Sequence, residues 1–130
     1  MKLEGRKIYK GIASGEAIVT SQGISFFGGV DPETGVIAEK DHELEGKSVS
    51  GKILIFSTGK GSTVGSYTIY QMKKANTAPL AIINETIDTI TAVGCIISEI
   101  PCVDQIDISK IKTGQNVTVN GNDGTIEIKD

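Results

Sequence analysis

Seven consecutive residues carry most of the chemistry this sequence can offer: Ser57-Thr58-Gly59-Lys60-Gly61-Ser62-Thr63 brings together hydroxyls, one cation and two glycines. A glycine-rich turn between a buried strand and a helix collects unpaired backbone N–H groups at the positive end of the helix dipole, a setting for phosphate or carboxylate. The likeness to a nucleotide-binding P-loop fails on spacing. That pattern needs Ser or Thr directly after Gly-Lys and a glycine five positions upstream, whereas Gly61 follows Lys60 and the upstream position is Leu54. Nucleotide hydrolysis is excluded on this ground. Ser62 then has two readings. Serine is a common helix N-cap; alternatively, Ser62, held by Gly59 and Gly61 close to a bound anion, acts as a base or proton carrier. A serine hydroxyl is too weak an acid to be deprotonated unaided, so the second reading requires a helix dipole, a cation or a metal-polarised substrate nearby. Lys60 is the local cation.

Other reactive side chains are few. His42 is the only histidine and sits with Asp41, Glu43 and Glu45 in a polar stretch. It reads as a solvated surface residue, and Ser-His chemistry would have to use it. Asp31, after Gly28-Gly29, reads as a turn former rather than an acid, and Lys73-Lys74 as a solvated helix end. Cys95 and Cys102 fit neither a CxxC motif nor a zinc spacing and are expected to be buried and inert. Two thiolates are also too few for a cubane iron–sulfur cluster, which takes about three or four. No cofactor is therefore expected on this chain alone.

The loop must be positioned by the elements around it. Lys52-Ile53-Leu54-Ile55-Phe56 reads as a strand buried on both faces. The pattern after the loop predicts a helix from about Thr63 to Ala75, capped by Ser62 or Thr63, with Lys73 and Lys74 at its negative end and Asn76 and Pro79 as the stop. Leu80–Ile83 is a second buried strand, which completes a βαβ unit. Upstream, strands are expected at Ile8–Gly11, Gly15–Thr20 and Ile24–Phe27, followed by the turn-rich Gly28–Gly35 and a polar stretch from Glu39 to Gly51. Downstream come a short helix at Ile87–Val93, a short strand at Cys95–Ile97, and a hairpin from Val117 to Ile128 turning at Asn120–Gly124. The fold class is α+β, as one domain over residues 1–130.

Composition narrows the partners. The chain has 130 residues, is 38% hydrophobic, and carries a net charge of -3 with no long Lys/Arg cluster. The basic footprint of a nucleic-acid binder is missing, and nucleic acid is not expected as a partner. No apolar run approaches the ~20 residues that span a bilayer, and the N-terminus lacks a signal-peptide pattern, so no membrane association and a cytoplasmic location are expected. The sequons Asn84-Glu85-Thr86 and Asn116-Val117-Thr118 are then without consequence.

Several separated motifs occur in a fixed order: Gly28-Gly29-Val30-Asp31-Pro32-Glu33-Thr34-Gly35-Val36-Ile37, His42 to Gly46, Ser57 to Thr63, Ala78-Pro79-Leu80-Ala81-Ile82, and Ile100-Pro101-Cys102-Val103. Together they resemble the small subunit of aconitase-X proteins over nearly the whole chain. The resemblance implies a swivelling β/β/α domain, similar to the mobile fourth domain of aconitase, that closes over a large catalytic subunit bearing a 4Fe-4S cluster. It also implies a dehydratase reaction in the archaeal mevalonate route to isoprenoids, converting (R)-5-phosphomevalonate to trans-anhydromevalonate 5-phosphate. Within it Ser62 would be the proton acceptor, and Gly59, Lys60, Gly61 and Thr63 would hold the phosphorylated hydroxy acid. Lys60 stands where the family commonly carries arginine, which keeps the charge without the bidentate fork, and Thr63 where a second serine is common. Two rivals stay open: a related dehydratase with another hydroxy acid, and a non-catalytic swivelling module that binds anions.

Overall fold

Ile53, Leu54, Ile55 and Phe56 are all fully buried, because the strand they form has a packed layer on each face. In the computed structural model, which describes residues 1–129, the chain runs through β1 (Lys2–Glu4), β2 (Arg6–Tyr9), β3 (Ile12–Val19), a short α1 (Phe26–Gly29), β4 (Ile53–Phe56), α2 (Gly65–Lys74), β5 (Ala81–Asn84), α3 (Thr89–Ser98), β6 (Cys102–Asp104), β7 (Asn116–Asn120) and β8 (Thr125–Lys129). The strand order is β1-β8-β7-β3-β4-β5-β6-β2. From β3 to β6 the pairs are parallel, and the flanking pairs are antiparallel.

The long strand β3 serves both parts of this sheet. Its residues Ile12–Glu16 pair with β7, and Ala17–Val19 pair with β4. The antiparallel part thereby covers one face of the parallel part, and the side chains between them (Ala17, Ile53, Ile55, Ile83, Val117, Val119 and Ile126 among them) form one core. Leu54, Phe56 and Ile82 point the other way, into a second core with Ile69 and Met72 of α2 and Cys95 of α3. Period-two alternation thus sends neighbouring residues of β4 into different cores, giving the expected β/β/α layering.

The βαβ unit β4-α2-β5 and the terminal hairpin lie where the sequence put them. Several boundaries differ for identifiable reasons. Ile24 makes a single parallel bridge, to Gly59, instead of a strand with its successors; Phe26–Gly29 form an irregular helical turn because Gly28 adopts φ +83°. The stretch Cys95–Ile97, expected as a strand, belongs to α3, which Asp88 caps by accepting the Thr91 N–H at 3.1 Å. Tertiary packing overrides the β-branched preference there. Gly94 lets the two helices approach so closely that a Cβ on it would lie 3.1 Å from Cβ of Ile69. Strand β6, unread in the sequence, follows directly after Pro101. No helix among the described residues is long and apolar enough to cross a membrane.

The edge strand β2 is fastened to β6 by an ion pair. Arg6 donates from Nε to Oδ1 of Asp104 at 2.9 Å and from Nη2 to Oδ2 at 2.7 Å, and Oδ2 also accepts the Ile87 N–H at 2.9 Å. Burial pushes the Asp104 carboxyl upward, but the Arg6 guanidinium and the Ile87 amide outweigh it and hold it below its ordinary value. A carboxyl depressed in the folded state contributes its full stabilisation above the unfolded value of about 3.9 and loses it as pH falls through the folded value. In urea unfolding, Asp104→Asn is expected to cost about 1–3 kcal/mol at pH 7 and to flatten the acid limb that the wild-type chain shows below about pH 4.

Candidate functional site

The glycine-rich loop leaves the C-terminal end of β4 and enters α2, so its backbone is anchored by a buried strand on one side and a helix on the other. Two side elements grip it between those ends. On one side, Oδ1 of Asp88 accepts the Gly59 N–H at 2.8 Å while its other oxygen caps α3. On the other, residues 23–25 run alongside: Ile24 donates its N–H to the Thr58 carbonyl at 3.2 Å, and Lys60 donates to the Ile24 carbonyl at 3.0 Å.

Both glycines are required by this confinement. A Cβ on Gly59 would collide with the side chains of Asp88 and Thr91, and one on Gly61, which adopts φ +91°, would collide with Oγ of Ser25. The backbone passes too close to its neighbours to carry side chains.

Beyond Gly59 the loop opens to solvent. Lys60, Gly61, Ser62 and Thr63 are all exposed. The N-cap of α2 is Val64, so neither Ser62 nor Thr63 caps the helix as expected. Ser62 instead shapes the turn leading in: its Oγ accepts the Val64 N–H at 3.2 Å, and its carbonyl accepts the Gly65 N–H at 2.9 Å. The amides of Gly61, Ser62 and Thr63 donate to no protein acceptor among the described residues. Three N–H groups without a protein acceptor precede a ten-residue helix, with the hydroxyls of Ser62 and Thr63 beside them, a set of donors that suits an anion. Lys60 is close by, its Nζ 3.0 Å from Oε2 of Glu39.

Lys60, Gly61, Ser62 and Thr63, singled out in the sequence, therefore lie together on the exposed part of the loop, with Gly59 held behind them. Phe27, Val64 and Tyr67, apolar yet 53%, 46% and 56% exposed, lie along the same end of α2. Other expectations divide. Asp31 is a turn former, its Oδ1 accepting the Glu33 N–H at 2.9 Å. Cys95 and Cys102 are free and buried, and the hydrogen bond to Cys95, then burial, hold the Cys102 thiol well above its ordinary value. Among the described residues no group of three or more His, Cys, Asp or Glu side chains is arranged to hold a metal ion.

His42 is a correction. It is only 7% exposed rather than solvated, with Nδ1 accepting the Leu44 N–H and Nε2 facing the Gly23 carbonyl, each at 3.0 Å. Its acidic neighbours in sequence are exposed while the ring turns inward. Asp88, Glu39 and Ser25 were not singled out in the sequence. Asp88 had a readable signal, since an aspartate just before an apolar run marks a helix start; Glu39 and Ser25 reach the loop only through tertiary folding.

Known proteins resemble this arrangement over almost the full chain. Residues 2–128 match the aconitase X swivel domain family. The phosphomevalonate dehydratase small subunit of Thermococcus kodakarensis is 56% identical over 128 residues, covering 98% of this chain and 96% of that protein. Its counterpart of the same name from Methanosarcina acetivorans is 53% identical, covering 98% and 91%. Among solved structures, the crystal structure of Thermococcus kodakaraensis aconitase X in its holo form superposes with a TM-score of 0.98 at 54% identity, covering 100% of this chain and 99% of that one. A solution NMR structure of a UPF0107 protein gives 0.89 at 45% identity, with both chains fully covered.

Replacing Asp88 removes a helix cap and the acceptor for the Gly59 amide together. Asp88→Ala is expected to lower stability by about 1–2 kcal/mol, seen as a shifted urea midpoint at unchanged slope.

Proposed function

This chain belongs to the aconitase X swivel domain family, and from that membership we propose that it is the small subunit of a hydro-lyase that dehydrates (R)-5-phosphomevalonate to trans-anhydromevalonate 5-phosphate, with Ser62 as the proton acceptor. It works as one swivelling domain with a larger catalytic subunit, in the cytoplasm, on the archaeal route to isoprenoids. The name small subunit, carried by its relatives, supports the two-chain arrangement. A single observation supports the role of Ser62: an exposed hydroxyl standing among the free amides at the head of α2.

A proton α to a carboxylate is weakly acidic, and its removal needs a positioned base. Oγ of Ser62 accepts the Val64 N–H and lies at the positive end of α2, and both features favour the oxygen when it carries negative charge. Ser62 acts as its alkoxide, its own proton having passed to solvent before closure: as the C2–H bond of the substrate breaks, a new O–H bond forms at Ser62, the C–H electron pair becomes the C2–C3 double bond, and the 3-hydroxyl departs as hydroxide, which a proton donor on the larger partner would complete to water. The amides of Gly61, Ser62 and Thr63 would hold the substrate's carboxylate or phosphate, with Lys60 supplying the charge. Gly59 gives the loop its fixed point.

An iron–sulfur cluster in such a reaction supplies Lewis-acid activation of the leaving hydroxyl. The residues of this chain do not fit one: its two thiols are sealed in the core, against about three or four that a cluster takes. The cluster is assigned to the larger partner. The exposed apolar rim of Phe27, Val64 and Tyr67 suits closure of that partner over the loop, which would exclude water from the reacting atoms.

The test is an anaerobic assay of the co-expressed pair, following loss of 5-phosphomevalonate, with each chain also assayed alone. Turnover only in the mixture is expected. Ser62→Ala is expected to co-purify with its partner and to lose about 10²–10⁴ in rate; wild-type turnover in that variant removes Ser62 from the mechanism.

A further inference from the structure

The segment around His42 is unused by the reaction as derived, yet it is bound to the loop that performs it. Residues 23–25 lie along the glycine-rich loop in register: Gly23 is packed so tightly that a Cβ would stand 3.1 Å from the Thr58 carbonyl oxygen, Ile24 bridges Gly59 through two backbone hydrogen bonds, and Ser25 abuts Gly61. The position of Ser62 therefore depends on this rail of three residues as well as on Asp88. That rail begins at an exposed pair, Ser21 and Gln22, and belongs to no strand or helix up to Ser25. Ile24 is sunk in the core, so it is the start of the rail, at Gly23, that needs a further hold.

We infer that His42 is a positioning residue for Ser62, acting through Gly23 and the rail beside the loop. The Leu44 amide can only donate, so Nδ1 of His42 is the acceptor and Nε2 carries the proton, which it donates to the Gly23 carbonyl at 3.0 Å. Next to it, the Glu43 N–H donates to Oε1 of Gln22 at 2.8 Å. The 42–44 turn thus grips the start of the rail at two adjacent residues. It belongs to the same stretch as Glu39, which holds Lys60. A buried ring with both nitrogens engaged fixes the carbonyl at one place, and the bridge between Ile24 and Gly59 passes that position to the loop. Small displacements matter at such a distance from the chemistry, because a misplacement of about 1 Å costs up to roughly a hundredfold in rate.

The inference rests on the reading of Ser62 as proton acceptor, and two substitutions test it separately from that reading. The amide oxygen of asparagine falls near the place of Nδ1, so His42→Asn keeps the Leu44 bond and loses Gly23; the amide nitrogen of glutamine reaches the place of Nε2, so His42→Gln keeps Gly23. Steady-state turnover is measured in the co-expressed complex, and amide exchange at Ile24 and Lys60 in the full chain. For His42→Asn, kcat is expected to fall about tenfold or more, by a larger factor than any rise in KM, with faster exchange at both amides. His42→Gln is expected to restore both readouts towards wild type. The inference is overturned if His42→Asn keeps wild-type kcat, if it loses turnover with exchange at Ile24 and Lys60 unchanged, or if the two variants behave alike. Ser62→Ala is assayed alongside. Wild-type turnover there defeats the serine reading, while exchange at the two amides still reports whether His42 holds the rail.

Discussion

Asp88 joins two problems with one carboxylate. One oxygen satisfies an orphan amide at the start of α3, and the other holds the Gly59 amide of the loop after β4. The end of one helix and the approach to another are thereby locked at a fixed separation, with Thr91 packed into the remaining space. The loop residue at this contact must lack a side chain, since the backbone itself fills the gap. From there the chain has only two residues, Lys60 and Gly61, before it presents Ser62, so the serine inherits its place from an anchored point very near it.

The layers beneath make that anchor rigid. β4 is buried on both faces, with Ile53 and Ile55 in one core and Leu54 and Phe56 in the other. Displacing its C-terminal end would open both cores at once, and close-packed interiors resist such movement. The contrast with the tip of the loop is instructive. Exposure rises abruptly from Phe56, fully buried, to Lys60 and its successors, so a rigid stem carries an accessible end. This is the arrangement a domain needs if its reacting group must meet a substrate held by another chain.

Much of the stem was legible in the sequence because it depends on local pattern. A continuous apolar run, a glycine-rich turn, a helix ended by Asn76 and Pro79 and a second apolar run can be read in order, and the hairpin of β7 and β8 announces itself by Asn120-Gly121-Asn122-Asp123-Gly124. The clamps around the loop were not legible. His42 has Asp41, Glu43 and Glu45 around it, and that polarity describes the exposed neighbours rather than the ring, which turns inward towards Gly23 from nineteen positions away. Cys95 and its neighbours carry strand-like residues, yet Gly94 allows α3 to settle against Ile69, and burial decides the conformation. Side chains that meet only after folding leave no spacing to recognise.

If the loop holds an anion as proposed, the pair between Lys60 and Glu39 suits a site that must stay ready for it. Each side chain keeps substantial contact with water, 50% and 31% exposed, and ion pairs in that setting have small net strength because solvent screens the attraction and ordering two long side chains opposes it. A phosphate or carboxylate arriving at the free amides of Gly61, Ser62 and Thr63 meets a cation whose existing partner is easily exchanged. Until then the pair keeps Lys60 extended beside the loop and cancels a charge that would otherwise stand alone at the head of a helix already positive at that end. The loop thus has its hydrogen-bond donors fixed in the backbone and its charge on a movable side chain. Geometry is the preset part and electrostatics the adjustable one, a division that suits lysine better than a residue locked into a fork.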